Sequence, residues 1–166
     1  MTKPVARRRG LAPVVDARTR VLILGSFPGE ASLAARQYYA HPRNHFWPIL
    51  GEVLGEPLAS VPYDERLARL ARRRVGLWDV IVACRRPGSL DASIRDAEHG
   101  DVDRIRRVAA SLVAVAFNGN TAAGRAGVWA EAGYATLKMP STSPAYTRPF
   151  AAKLAEWRAI DDWLRE

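Results

Sequence analysis

The chain has 166 residues, nearly half of them apolar, and a formal net charge of +8. That length suits one domain with a sizeable buried core and argues against intrinsic disorder. The charge, with a pI near 10.4, suits a polyanionic partner such as nucleic acid, although coding bias towards arginine produces the same excess. A single cysteine, Cys84, excludes an internal disulfide, a cysteine-based zinc site and a four-cysteine iron–sulfur cluster. His41, His45 and His99 show no metal-ligand spacing with carboxylates, so neither a metal nor another cofactor is expected. No apolar run approaches the roughly 20 residues that cross a bilayer, and the basic N-terminus lacks the apolar segment of a signal peptide. A cytoplasmic protein with no membrane partner is expected.

In chain order, residues 1–11 carry Lys3 and Arg7-Arg8-Arg9 and read as a flexible basic arm, with a single domain over 12–166. The β-branched run over Arg20–Leu24 predicts a buried strand. From Phe46, the spacing of Ile49, Leu50, Val53 and Leu54 predicts a helix that ends at Gly55. Asp64 begins a second helix with Leu67, Leu70 and Ala71 on one face. Leu77–Cys84 reads as the second strand and Arg85–Asp91 as its exit loop. A helix over Asp103–Ala110 precedes Leu112–Phe117, the clearest strand, which Asn118-Gly119 closes. Thr121–Glu131 is helical, Tyr134–Met139 is the fourth strand, and a last helix starts near Thr147 with Pro149 in its first turn. Its buried stripe is Phe150, Leu154, Trp157, Ile160 and Leu164.

Strands alternating with helices predict an α/β fold, a parallel sheet with helices on both faces. In such sheets ligands bind beyond the carboxyl ends of the strands, where the strand order reverses. The chemically rich segments all fall there: Gly25–Asn44, Arg85–Asp91, Asn118-Gly119 and Pro140–Thr147. Within the first, Pro28-Gly29 predicts a tight turn, and glycine at 25 and 29 permits unusual dihedrals and close approach of a ligand. Two tyrosines, two histidines, an arginine, an asparagine, a phenylalanine and a tryptophan then follow within ten residues. That density of aromatic and hydrogen-bonding surface reads as a pocket wall.

GSFPG followed by Ser32-Leu33 and QYYAHPRNHFW resembles the hypoxanthine-DNA glycosylase family, a branch of the uracil-DNA glycosylase superfamily. Leu77-Trp78-Asp79-Val80 running into Arg86-Pro87-Gly88-Ser89-Leu90-Asp91, and Ser141-Thr142-Ser143-Pro144-Ala145, fit in order. The likeness covers roughly Val21 to Trp157. It implies a three-layer α/β/α sandwich around a four-stranded parallel sheet. It also implies a monomeric enzyme of base excision repair, at work on the nucleoid, that flips a deaminated base out of double-stranded DNA and hydrolyses its glycosidic bond.

The resemblance implies roles residue by residue. Gly25, Ser26, Phe27, Pro28, Gly29, Gln37 and Tyr38 are the base-pocket candidates, with Phe27 stacking on the base or plugging the core beneath. Ser26 stands where many superfamily members carry the aspartate or asparagine that handles water, and Ser141 replaces a histidine. Within the hypoxanthine branch the water-handling role passes to an asparagine that maps to Asn44, whose amide both donates and accepts; a helix cap is its other reading. Asp79, where the superfamily often has a base-reading asparagine, is placed to accept from N1–H or to activate water. Arg85, Arg86, Ser141, Ser143, Pro144, Ala145 and Tyr146 are the DNA-binding candidates, and Tyr146 or Arg148 the wedge. No lysine falls in the first motif, so a Schiff base with strand cleavage is not expected. A uracil- or mismatch-directed glycosylase of the same fold is the nearest alternative. A nucleotide- or DNA-binding module without catalysis is the other; GSFPGE has neither the GxGxxG spacing nor a P-loop ending.

Overall fold

A computed structural model describes residues 4–165 of the chain. Its strands are β1 (Arg7–Arg9), β2 (Val21–Gly25), β3 (Val75–Asp79), β4 (Ile81–Arg85), β5 (Arg95–His99), β6 (Ala114–Asn118) and β7 (Ala135–Met139). Its helices are α1 (Glu30–Ala35), α2 (Phe46–Leu54), α3 (Tyr63–Arg72), α4 (Val102–Val108), α5 (Asn120–Ala123), α6 (Ala126–Glu131), α7 (Phe150–Trp157) and α8 (Ala159–Leu164). No helix among the described residues is long and apolar enough to cross a membrane.

Four strands form a parallel sheet in the order β3-β2-β6-β7. β2, β3 and β6 are buried along their whole length, which is why they read as unbroken apolar runs. β7 lies at the edge, and its alternation of covered and exposed residues marks one solvated face. Side chains alternate across the sheet. Val21 and Ile23 pack with Phe46, Ile49, Leu50, Leu70, Trp157 and Ile160, under the layer of α2, α3, α7 and α8. Leu22 and Leu24 pack with Trp78, Phe117, Ile105, Ala122 and Trp129, under α4, α5 and α6. The result is the expected α/β/α sandwich. Gly55 closes α2 in the left-handed conformation, φ 67°, with its N–H on the Gly51 carbonyl, as a C-terminal glycine should.

Several boundaries differ from expectation. The run 77–84 is two strands in two sheets: β3 joins the parallel sheet, whereas β4 lies between β1 and β5 in a separate antiparallel sheet. The break follows Asp79, where Val80 N–H donates to the Gly25 carbonyl and Ile81 N–H to the Ser26 carbonyl. The chain thus wraps over the end of β2, and burial persists across the break, leaving no change of polarity to mark it. The flexible arm expected over 1–11 is corrected from Arg7 onward. Arg7–Arg9 pair antiparallel with Ala83–Arg85, and Leu11 packs on the core; residues 1–3 lie outside the described residues. Main-chain ladders hold this edge strand, whatever its side chains. The helices expected over 121–131 and from 147 are each two shorter helices, and Pro149 precedes α7 as its cap.

Candidate functional site

Beyond the carboxyl ends of the parallel strands lies a cavity of about 330 Å3. It sits where β3 and β6 diverge on either side of β2, the place that the topology reserves for ligands. Gly25, Asp79 and Asn118, the last residues of β2, β3 and β6, form its floor. The turn after β2, the segment 38–44, the loop 89–91 and the loop 141–146 make its walls.

The turn Ser26–Gly29 is held from behind. Arg86 is 4% exposed; it donates to the carbonyl oxygens of Phe27, Pro28 and Gly88, and its guanidinium lies 5.1 Å from the centre of the Phe27 ring. Phe27 lines the cavity and is also part of the core, so the stacking and plugging readings describe one buried ring. Ser26 donates to Asp91 Oδ1 at 2.7 Å. Gly29 has φ −70°, so no left-handed backbone is needed in this turn. Gly25 is required for space instead: a Cβ there would sit 2.5 Å from Asp79 Oδ1 and 3.0 Å from the Tyr39 hydroxyl.

Asn44 lines the opposite wall. Its Oδ1 accepts from Phe46 N–H at 2.9 Å, next to the start of α2, so the capping and catalytic readings are compatible. The cap fixes the amide plane and leaves the Nδ2 donors to the cavity. His45 N–H donates to the Thr142 carbonyl at 3.0 Å, joining this wall to the loop 141–146. In that loop Ser141 Oγ accepts from Ser143 N–H at 3.2 Å and Ser143 Oγ from Ala145 N–H at 3.2 Å. Thr142 is buried and pairs with Asn118 through both side chain and backbone, at 2.9 and 3.0 Å. Behind the loop, the fully buried Lys153 donates to the Ser143 carbonyl and lies beside His45 Nδ1, each at 3.4 Å. Burial and the nearby Arg148 hold its ammonium below the usual range, and burial and Lys153 do the same to His45.

Asp79 is 5% exposed. Burial, reinforced by Asp91 and opposed by Arg86, pushes its carboxyl up to about 7. Tyr38 and Tyr39 are held far above the ordinary phenol range by burial and then by Asp79. Tyr38 points its hydroxyl to the Ala12 carbonyl at 2.8 Å, which makes it a strut of the wall. Tyr39 stacks on Phe46 with ring centres 3.8 Å apart. Among the described residues no group of three or more His, Cys, Asp or Glu side chains is gathered as a metal site would need.

The cavity therefore collects Gly25, Ser26, Phe27, Pro28, Gly29, Tyr38, Asn44, Asp79, Ser141, Ser143, Pro144, Ala145 and Tyr146. Three expected residues do not line it. Gln37 lies outside the lining, one residue before the wall begins. Arg86 is corrected from a phosphate contact to a buried clamp, because its donors face main-chain carbonyls. Arg85 sits in the antiparallel sheet, paired with Asp96 at 3.4 Å and donating to the Val5 carbonyl at 2.8 Å. Of the two wedge candidates Tyr146 lines the cavity and is 41% exposed, whereas Arg148 pairs with Glu156 at 2.6 Å. Sequence reasoning missed Lys153, although a lysine between Phe150 and Trp157 on an apolar helical stripe was the available signal.

Comparison with known proteins agrees with this geometry. The family model described as the uracil DNA glycosylase superfamily matches residues 12–165. The chain is 38% identical over 151 residues to a hypoxanthine DNA glycosylase of Methanosarcina barkeri (strain Fusaro / DSM 804), covering 91% of this chain and 96% of that protein. It is 37% identical over 153 residues to a hypoxanthine DNA glycosylase of Methanosarcina acetivorans, covering 92% and 97%. A solution NMR structure of a candidate uracil DNA glycosylase from Methanosarcina acetivorans superposes with a TM-score of 0.86 at 35% identity, covering 97% of this chain and all of that one. The chain belongs to the uracil DNA glycosylase superfamily.

Proposed function

We propose that this protein is a monofunctional DNA glycosylase of base excision repair that removes deaminated bases, hypoxanthine first, from double-stranded DNA. The observation that carries the reading is the convergence of Asn44 and the loop 141–146 on one cavity, tied together by the His45–Thr142 hydrogen bond. A volume of about 330 Å3 is in the range of small-molecule sites. The two Methanosarcina relatives that bear the name hypoxanthine DNA glycosylase match over more than nine-tenths of this chain.

A base everted into the cavity meets Phe27, while the backbone N–H groups and hydroxyls of residues 141–146 hold flanking phosphates. The Asn44 amide, fixed by its bond to Phe46 N–H, presents Nδ2 to the attacking water. As the glycosidic bond loosens, positive charge gathers on the sugar and the base leaves with the bonding pair. Water adds to the anomeric carbon and loses a proton to solvent, and the departing base takes one up from solvent, so that a sugar hydroxyl and the neutral base result. No lysine lines the cavity, and Lys153 is buried behind the loop, which favours hydrolysis over a Schiff base. The protein acts as a monomer, without cofactor.

Duplexes with a single inosine, deoxyuridine or deoxyxanthosine are incubated with the protein and analysed with and without alkali. Release of hypoxanthine, with strand breaks only after alkali, is the expected result. Breaks without alkali overturn monofunctional action, and uracil released ahead of hypoxanthine selects the uracil-directed alternative. Release of no base from any duplex overturns the glycosylase reading.

A further inference from the structure

We propose that the turn His41–Asn44 is a phosphate grip at the mouth of the cavity: the Arg43 guanidinium and the Nε2–H of His41 hold the DNA backbone beside the everted nucleotide. The inference rests on the glycosylase reading above and names a contact that holds its substrate, in place of Arg85 and Arg86.

The cavity itself is acidic. Glu30, Asp79 and Asp91 line it, and no arginine or lysine does. A duplex brings a dense line of phosphate charge, and nothing in that lining can offset it. The cations nearest the cavity are mostly engaged elsewhere. Arg8 pairs with Glu30 at 3.3 Å, Arg86 is the clamp under the turn Ser26–Gly29, Arg148 pairs with Glu156 at 2.6 Å, and Lys153 is fully buried. Arg43 differs. It is exposed and lies between the lining residues His41 and Asn44. Among the described residues its guanidinium makes no hydrogen bond or ion pair. A planar, permanently charged fork of donors suits two oxygens of one phosphate.

His41 completes the grip, and the turn orients it. Its carbonyl accepts from Asn44 N–H at 3.0 Å, and its Nδ1 accepts from Arg43 N–H at 3.1 Å. A ring nitrogen that accepts carries no proton, so the imidazole proton is on Nε2, the side-chain donor left for a ligand. Pro42, with its fixed φ, stiffens the turn. The His45–Thr142 bond sets the same turn beside the loop 141–146. The two segments therefore form one rim along which a backbone can run.

Duplex affinity is measured by fluorescence anisotropy across salt concentrations. One duplex is undamaged, and the other holds a fluorinated inosine analogue whose glycosidic bond resists hydrolysis. Arg43→Gln is expected to lower the slope of log affinity against log salt by about one unit on both, since a phosphate carries no base information. Arg107→Gln removes an equal charge from the exposed surface of α4 and is expected to leave the slope unaltered. Two amides divide the roles of His41. In His41→Asn, Oδ1 can replace Nδ1 in the turn while the outer donor is lost. In His41→Gln, an amide N–H can replace Nε2–H while the turn loses its acceptor. Affinity for the analogue duplex is expected to fall about tenfold in His41→Asn and to stay near that of the unaltered protein in His41→Gln. Thermal unfolding checks that each variant folds. The reverse order of the two histidine variants overturns the grip, as does an unaltered slope in Arg43→Gln or an equal fall in Arg107→Gln. Absence of base release by an unaltered protein whose variants show the expected slopes overturns the glycosylase reading and leaves the grip in place.

Discussion

The main-chain N–H of His45 donates to the carbonyl of Thr142 at 3.0 Å, across 97 positions of sequence. This bond carries Asn44 to the loop 141–146, and Asn44 in turn caps the start of α2 through Phe46. The capping role of the amide and its proposed catalytic role separate by substitution. Asn44→Ala removes both and is expected to cost roughly 1 kcal/mol of stability and on the order of 100-fold in base release. Asn44→Asp keeps a capping oxygen and loses the donors. It should unfold near the temperature of the unaltered protein while base release stays low, with affinity for duplex DNA retained in both variants. Thermal unfolding and single-turnover release measured together provide the check. Full release by Asn44→Asp would remove the amide from catalysis.

Asp79 is expected to couple stability and activity to pH with opposite signs. Its folded-state carboxyl is raised from 3.8 to about 7, so between those limits the folded state binds more proton than the unfolded one. Stability from this group is therefore present below the unfolded value and is lost as pH rises toward 7, by a few kcal/mol at most. Acceptance of a ring N–H needs the ionised form, so release of hypoxanthine should rise through the same interval and level off above about 7. Asp91, Arg86, Tyr38 and Tyr39 are the groups whose fields bear on it. Denaturant titrations and single-turnover rates from pH 5 to 9 test this, with Asp79→Asn expected to flatten both profiles. Parallel rather than opposed slopes would show that the ionised form is not the active one.

What the sequence makes legible follows from burial. Val21–Leu24 and Leu112–Phe117 announce themselves because both faces of those strands are covered, and α2 because all of it but Pro48 and Glu52 is buried, which gives it a dense apolar pattern. β1 and β5 could not be read this way. Arg7–Arg9 and Arg95–His99 are mostly exposed and are held by ladder bonds to β4, which leave no mark on side-chain pattern. The site divides similarly. Asn44, Asp79 and residues 141–146 are polar groups at the ends of apolar segments and stand out. Arg86 and Arg85 look like any other basic pair, and only the carbonyls around them distinguish a clamp from a phosphate contact. Tyr38 and Tyr39 look alike in sequence, and only the fold separates them: Tyr38 sets its hydroxyl on the Ala12 carbonyl, whereas Tyr39 takes a positive φ and stacks on Phe46.

Lys153 is fully buried, and among the described residues no carboxylate pairs with it. Desolvation of its ammonium opposes folding, while its bond to the Ser143 carbonyl shapes the loop 141–146. Lys153→Met keeps the stem and removes the charge. The variant is expected to match or exceed the parent in stability by up to about 2 kcal/mol, as with other buried charges replaced by apolar isosteres. It should bind duplex DNA several-fold more weakly, because the Ser143 turn and the Tyr146 ring, 5.4 Å from Nζ, lose their anchor. Chemical denaturation and fluorescence anisotropy provide the two readouts. A large loss of stability would show that the lysine is a net structural asset instead.

Arg86 offers the sharpest separation of scaffold from interface. Its fork meets three main-chain carbonyls of the turn and exit loop, a pattern that an ammonium cannot reproduce. Arg86→Lys should therefore destabilise by roughly 2 kcal/mol or more, the lost charge-assisted bonds leaving the buried carbonyls of Phe27 and Pro28 unpaired. Base release falls with it, since Phe27 loses the planar guanidinium that backs its ring. Binding of duplex DNA discriminates further. A phosphate contact contributes close to one unit to the slope of log affinity against log salt, so a clamp that touches no phosphate leaves that slope unchanged. A slope reduced by about one unit, with stability intact, would return Arg86 to the DNA-facing surface; an unchanged slope with a lowered unfolding midpoint places it under the turn that holds Phe27.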